Sequence, residues 1–194
     1  MEFIKNYFNE LKNTIDNISF EDVKKVVDVL YGAYKEDKQV FIIGNGGSAS
    51  TASHFACDLG KGTVQDVYDE NEKRFRVISM TDNVATLTAL GNDLSYDDIF
   101  SQQLKNLVNP GDIVIAITAS GNSQNILNAI DTAKRLKAVT IGFVGFDGGK
   151  LKSKADYHVH ARSDHYGRIE DTHLILEHLI SSYLTEMKKG HKDI

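Results

Sequence analysis

Only one cysteine, Cys57, occurs among the 194 residues, so no disulfide can form within the chain. There is a single proline, Pro110, and no tryptophan, and no stretch rich in proline, glycine or serine separates one region from another. Long apolar runs are missing: nothing approaches the roughly 20 apolar residues that cross a bilayer. The N-terminal MEFIKNYFNELKN interleaves apolar residues with acids and bases, unlike a secretory leader. A basic excess is missing too. The net charge of -5 argues against a broad nucleic-acid surface, because a phosphate backbone demands clustered Lys and Arg. The expectation from these absences is a cytoplasmic chain with neither a membrane nor a nucleic acid as partner. The one like-charged run, KKGHKD at 188–193, reads as a solvated tail.

What is present is enough for a core. Apolar residues make up 41% of the chain, and its length fits one domain, 1–194. Phe3, Ile4, Tyr7, Phe8, Leu11 and Ile15 form an apolar stripe at helical spacing. Ser19 with Asp22 three residues on resembles a capping box, and Val23, Val26, Val27, Leu30 and Tyr34 continue as a second helix. From there strands and helices alternate. VFIIG (40–44), FRVISM (75–80), DIVIAIT (112–118), VTIGFVGF (139–146) and YHVHA (157–161) are each followed by helical patterning, the last by a long helix from about Ile169 to Met187. That alternation predicts an α/β fold, a three-layer α/β/α sandwich around a central parallel sheet. The helices in segment 1–36 stand outside the alternation, and the aromatic stripe on the first is expected to meet a partner subunit or its own domain.

Ligands of such sheets bind beyond the carboxyl ends of the strands. Two polar loops lie there, GNGGSAS (44–50) and SGNSQN (120–125), the second between a strongly apolar strand and the helical ILNAIDTAKRL. The first turn of a helix offers free N–H groups and the positive end of its dipole. With hydroxyls at Thr118, Ser120 and Ser123 and no lysine, the second loop reads as a phosphate cradle other than a nucleotide P-loop. Gly44, Gly46 and Ala49 satisfy a relaxed dinucleotide pattern, but no acid ends the second strand where a ribose would need it: Asp82 comes too late. The first loop is better read as backbone approaching a sugar phosphate, with Asn45 and Ser48 as donors.

His54 and Asp58, at i and i+4, share a helix face behind that loop. Cys57 is a further candidate ligand there, though a lone thiol on such a helix is usually a small buried hydrophobe. RIEDTHLILEHLI (168–180) carries Glu170, His173, Glu177 and His178. Leu174, Ile175, Leu179 and Ile180 already supply a core face, so Glu177 is expected in solvent. Glu170 and His178 stand eight residues apart, about 12 Å along a regular helix. Meeting at one ion requires an irregular helix start or two subunits. Gly91–Asn92–Asp93 reads as a turn, with Asp93 a candidate hydroxyl contact, and DGG (147–149) as a plain turn.

Taken together, GNGGSASTASHFACDL, the GND turn, ITASGNS and RIEDTHLILEHLI occur in an order that resembles the sugar isomerase (SIS) domain proteins, and among them the phosphoheptose isomerases. The resemblance runs over nearly the whole chain. It implies an SIS-type, flavodoxin-like fold with segment 1–36 used for oligomerisation, and a homotetramer with active sites between subunits. It implies conversion of D-sedoheptulose 7-phosphate to D-glycero-D-manno-heptose 7-phosphate through an enediol, an early step toward nucleotide-activated heptose for lipopolysaccharide or capsule. Carried onto this chain, Asn45, Gly46, Gly47, Ser48, Asn92, Asp93, Thr118, Ala119, Ser120, Ser123 and Glu170 bind substrate. His54, Asp58, Glu170 and His178 hold one zinc per subunit. Asp58 or Glu170 is the base, and His178 the acid or proton shuttle. Two of these depart from the family: its Glu is Asp58 here and its Gln is Glu170, which adds a negative charge that favours a divalent metal. Two other readings accompany the resemblance, a non-catalytic SIS protein that binds the bacterial replication initiator and a sugar-phosphate-sensing module. The His/acid cluster weighs against the first, and the second usually carries a DNA-binding domain for which this chain has no room.

Overall fold

The computed structural model describes residues 1–191. Five parallel strands form one sheet: β1 (Gln39–Gly44), β2 (Arg76–Ser79), β3 (Ile113–Thr118), β4 (Val139–Val144) and β5 (Tyr157–His160), in the order β2-β1-β3-β4-β5. This is the flavodoxin-like order, with its reversal between β1 and β3. Val40 pairs with Ile113 and Gly44 with Ile117, so the two central strands run in step to the edge where both polar loops leave. β3 is buried along its whole length, which is why its sequence is apolar without alternation.

Helices cover both faces. One face packs α2 (Phe20–Lys35), α3 (Gly47–Cys57) and α8 (Tyr166–Lys188) through Val26, Leu30, Phe55, Phe143 and Ile180. The other packs α4 (Val84–Asp93), α5 (Ile99–Leu107), α6 (Gln124–Arg135) and α7 (Gly149–Lys154) through Phe41, Phe100, Leu104 and Ile130. The side chain of Ser19 accepts from the backbone N–H of Asp22 and starts α2, as the capping pattern predicts.

Helix α1 (Glu2–Asp16) lies on α8. Tyr7 donates to Asp171 at 2.7 Å, and Arg168 pairs with Glu10. Only Thr14 of α1 is buried, while Phe3 is 80% and Phe8 57% exposed. Three sequence expectations need correction. Gly91, Asn92 and Asp93 are not a free turn but the last turn of α4. Cys57 is exposed rather than buried. Lys188 is no part of a solvated tail: its side chain is buried and donates to Glu72 at 2.9 Å and to the carbonyl of Thr63 at 2.7 Å. Glu72 also accepts from the backbone N–H groups of Gln65 and Asp66. Those donors and Lys188 hold its carboxyl down at about 2 and fasten the long 63–74 loop to α8. The rest of the expected tail, from 192 on, lies outside the described residues.

Candidate active site

The first polar loop turns at Gly46, with φ 55°, into the start of α3. The second leaves β3 at Thr118, turns at Gly121, with φ 64°, and enters α6 at its N-cap, Ser123. Gly121 cannot be replaced cheaply: a Cβ there would stand 2.1 Å from the carbonyl oxygen of Gly148. That contact shows what DGG does. The backbone N–H groups of Lys150 and Leu151 donate to the side chain of Asn122 and the carbonyl of Gly121. Asn122 donates in turn to the carbonyl of Ser120 at 2.9 Å. The 147–149 turn is thus a buttress under the SGNS loop, a role invisible in a sequence where the two lie some 25 residues apart.

Between the loops is a cavity of about 170 Å³ lined by Asn45, Ser48, Thr118, Ala119, Ser120, Ser123, Tyr166 and Glu170. The hydroxyls of Ser48, Thr118 and Ser123 engage no other protein group among the described residues, and Ser123 does not cap its own helix. They remain as donors around a cavity faced by the first turn of α6, the environment that suits an anion. Glu170 comes from the first turns of α8 and stands against Gly47, where a Cβ would meet its carboxylate at 2.8 Å. Gly46 and Gly47 open α3 beside it. Asn92 and Asp93 are exposed, Asn92 donating to Asp93 at 2.9 Å, and neither lines this cavity.

Further along α3 and α8, four side chains converge: His54, Asp58, Glu177 and His178, with one donor atom of each within 4.8 Å of all the others. Asp58 follows α3 directly, at the start of a π turn (Asp58–Gly62). Nε2 of His178 is 3.4 Å from Nε2 of His54, 3.3 Å from Oε1 of Glu177 and 3.8 Å from Asp58. Nδ1 of His54 is 3.6 Å from Oε1 of Glu177.

Glu177 corrects the sequence expectation twice. It is fully buried, not solvent-facing, and it occupies the place in the cluster foreseen for Glu170. Helix α8 is regular through this region, so Glu170 sits about 11 Å up the axis from Glu177 and serves the other cavity. The expectation of donors drawn from two subunits is also unnecessary for this cluster, since one chain supplies all four. Among the described residues neither Glu177 oxygen receives a hydrogen bond. Burial first, and then the charge of Asp58, push its carboxyl up to about 8. No sequence signal marked Glu177, because glutamate beside an apolar helix face is normally solvated.

Two imidazoles and two carboxylates within one ion's reach are a donor set for a borderline divalent metal such as zinc. The orphaned Glu177 oxygens fit such an ion, because a buried carboxylate that receives no hydrogen bond is satisfied by a cation. Cys57 is not in the group.

The sequence model of the SIS domain matches residues 6–145. The chain is 35% identical over 182 residues to a probable phosphoheptose isomerase of Thermoplasma acidophilum, covering 94% of this chain and 97% of that protein. It is 38% identical over 178 residues to the phosphoheptose isomerase of Sulfurimonas denitrificans, covering 91% and 86%. Its fold is similar to that of the phosphoheptose isomerase of Neisseria gonorrhoeae, with a TM-score of 0.85 at 26% identity, over 94% of this chain and 97% of the other. With the sheet order, the paired loops and a match that runs nearly end to end, the chain belongs to the phosphoheptose isomerase family of SIS-domain proteins.

Proposed function

We propose that the chain isomerises D-sedoheptulose 7-phosphate to D-glycero-D-manno-heptose 7-phosphate through an enediol. The observation that carries this is the pairing of a hydroxyl-lined anion cavity with a His/carboxylate cluster along the same two helices. Glu170 at one and His178 at the other are eight residues apart on α8, about 12 Å. That spacing is comparable with an open seven-carbon chain and its phosphate. Thr118, Ser120, Ser123, Ser48 and the backbone around Ala119 hold the phosphate, and Asn45, Gly46 and Gly47 line the sugar. Asn92 and Asp93 would reach substrate hydroxyls only from the rim. Binding at the phosphate end fixes the reacting carbons without taking part in the chemistry.

At the other end, Asp58 is the base. It takes the proton from the carbon beside the carbonyl and returns it to the neighbouring carbon, while His178 moves the proton between the two oxygens. Glu170, kept at the phosphate cavity, orients substrate instead of acting as the base. His54, Glu177 and His178, with Asp58, would hold one zinc ion per subunit. When bound, zinc supplies Lewis-acid polarisation of the substrate carbonyl. The cluster supports an enzyme over a non-catalytic partner of the replication initiator or a sugar-phosphate sensor. The product suits synthesis of nucleotide-activated heptose for lipopolysaccharide or capsule, in the cytoplasm. The exposed aromatics of α1 support a homotetramer built on segment 1–36 of a single SIS domain, with active sites at subunit boundaries.

The test is an NMR assay with sedoheptulose 7-phosphate in deuterated water. Aldose formation with solvent deuterium at the carbon beside the new carbonyl is expected. No turnover with zinc supplied would overturn the isomerase reading. Exchange that persists in Asp58→Asn but vanishes in Glu170→Gln would move the base to Glu170.

A further inference from the structure

The two loops are locked together by a network with a fixed polarity. The backbone N–H of Ile126 donates to Oδ1 of Asn125 at 2.9 Å. A backbone N–H can only donate, so this contact decides which end of the Asn125 carboxamide is oxygen. Asn45 faces that carboxamide reciprocally. Its Nδ2 donates to Oδ1 of Asn125, and Nδ2 of Asn125 donates to Oδ1 of Asn45, each at 2.9 Å. The hydroxyl of Tyr96 lies 3.0 Å from the same Oδ1 of Asn45 and must donate to it.

The bonding capacity of Asn45 is then almost used up. Both lone pairs of Oδ1 are taken and one of the two Nδ2 protons is committed, which leaves a single N–H. Asn45 borders both the hydroxyl-lined cavity and a second cavity of about 340 Å³ beside Thr81, Gly91 and Tyr96. Asn125 is only 2% exposed, so it reaches ligand through Asn45 or not at all.

We propose that Asn125 and Tyr96 are positioning residues that hold Asn45 as a donor with one proton to give. A bound sugar phosphate must meet it with an acceptor, a phosphate, carbonyl or hydroxyl oxygen. Because Asn125 belongs to the first turn of α6, the same pair sets the first loop at a fixed distance from the phosphate loop. The identity of the ligand rests on the isomerase reading; the clamp itself does not.

The experiment is a double-mutant cycle on kcat and KM for sedoheptulose 7-phosphate, using Asn45→Ala, Asn125→Leu and the pair, each checked by thermal unfolding. Asn125→Leu should raise KM about tenfold with kcat within about threefold, and Asn45→Ala should add little on top of it, since the two act as one unit. Tyr96→Phe should raise KM by a smaller factor. Losses that multiply independently, or an unchanged KM in Asn125→Leu, would overturn the clamp. Should Asn125→Leu not fold, Asn125→Asp replaces it: the carboxylate still accepts from Ile126 and Asn45 but cannot donate to Oδ1, and an unchanged KM there counts equally against the idea. If the wild type does not turn over this substrate, the isomerase reading falls and the clamp is decided on free protein. The carboxamide ¹H–¹⁵N signals of Asn45 should then show one slowly and one rapidly exchanging proton and shift in Tyr96→Phe. Two protons that exchange alike and ignore that change would sink it.

Discussion

Glu177 is held where a carboxylate has no reason to stay unless something positive arrives. Among the described residues its oxygens are buried without a hydrogen bond, and the imidazoles of His54 and His178 lie 3.6 and 3.3 Å from Oε1. Glu177→Gln should therefore act in opposite directions on two properties. The amide is a poorer ligand, so zinc affinity by calorimetric titration should fall at least about tenfold, while the chelated protein near neutral pH should be stabilised by about 1–3 kcal/mol, because the amide needs no proton to enter the fold and the buried carboxyl does. Equal zinc affinity in the variant would remove Glu177 from the ligand set. His178→Gln separates binding from chemistry in another way. Isomerisation should be lost, yet sugar-phosphate affinity should stay within a few-fold of wild type, because the hydroxyl cavity is a separate part of the structure. Retained turnover in that variant would overturn the assignment of His178 as proton shuttle. Helical spacing behind a recognisable loop put His54 and Asp58 on one face in the sequence, and the family resemblance alone joined His178 to them. It concealed Glu177 because burial of a residue at the edge of an apolar helix face is decided by what packs against it, and α3 does so only in three dimensions.

Among the elements, the SGNS loop carries the clearest expectation. Among the described residues the hydroxyl of Ser123 neither caps α6 nor bonds elsewhere, and those of Thr118 before it and Ser48 across the cavity are equally uncommitted. Replacing Ser123 with Ala should cost about 1.5–3 kcal/mol in sugar-phosphate affinity with the fold intact, the loss of one hydrogen bond to a charged group. Ser120→Ala should cost binding too, but its hydroxyl also accepts from the backbone N–H of Asn122 at 3.2 Å, so part of its effect is on the loop itself. Unchanged calorimetric affinity in both would place the phosphate elsewhere. The strands and helices were legible because apolar runs such as IVIAIT are short, β-branched and followed by 3.6-residue patterning. What pattern alone did not show were contacts between distant loops: the buttress from Gly148 to Gly121, the Asn45–Asn125 pair and the fastening of Glu72 by Lys188. None has a local signature, since each joins segments that fold topology brings together. Gly91–Asn92–Asp93 failed for a different reason. Its turn-forming residues sit in the last helical turn of α4, where helix C-termini tolerate them.

For the whole molecule, two buried groups set opposing pH slopes. Burial lowers His173 to about 4 from 6.5, so the unfolded chain binds its proton first and stability is lost as pH falls from 6.5 toward 4. Glu177, raised from 4.5 to about 8, holds its proton in the metal-free fold after the unfolded chain has released it, so stability is lost as pH rises through that window. Metal-free protein should be most stable between about pH 4.5 and 6.5 as far as these two groups decide it, and Glu177→Gln should flatten the decline above that range in a series of thermal melts. Assembly is the larger question. Helix α1 is fastened to α8 mainly through polar contacts, Tyr7 to Asp171 and Glu10 to Arg168, while Phe3, Ile4 and Phe8 stay exposed. On the same side of the sheet, Phe20 and Leu179 line an apolar groove of about 610 Å³ between α2 and α8. So many large apolar side chains left exposed on α1, α2 and α8 are uncommon on a monomer, and burying them against other copies removes apolar surface from water at about 25 cal/mol per Å². Light scattering on the intact chain at micromolar concentration should report a tetramer. Removing residues 1–17 should break it while the sheet persists, because α1 contributes almost nothing to the core. Phe3→Glu with Phe8→Glu should do the same without shortening the chain, which guards against loss by misfolding. A monomeric intact chain, or a double variant that remains tetrameric, would sink the role given to α1.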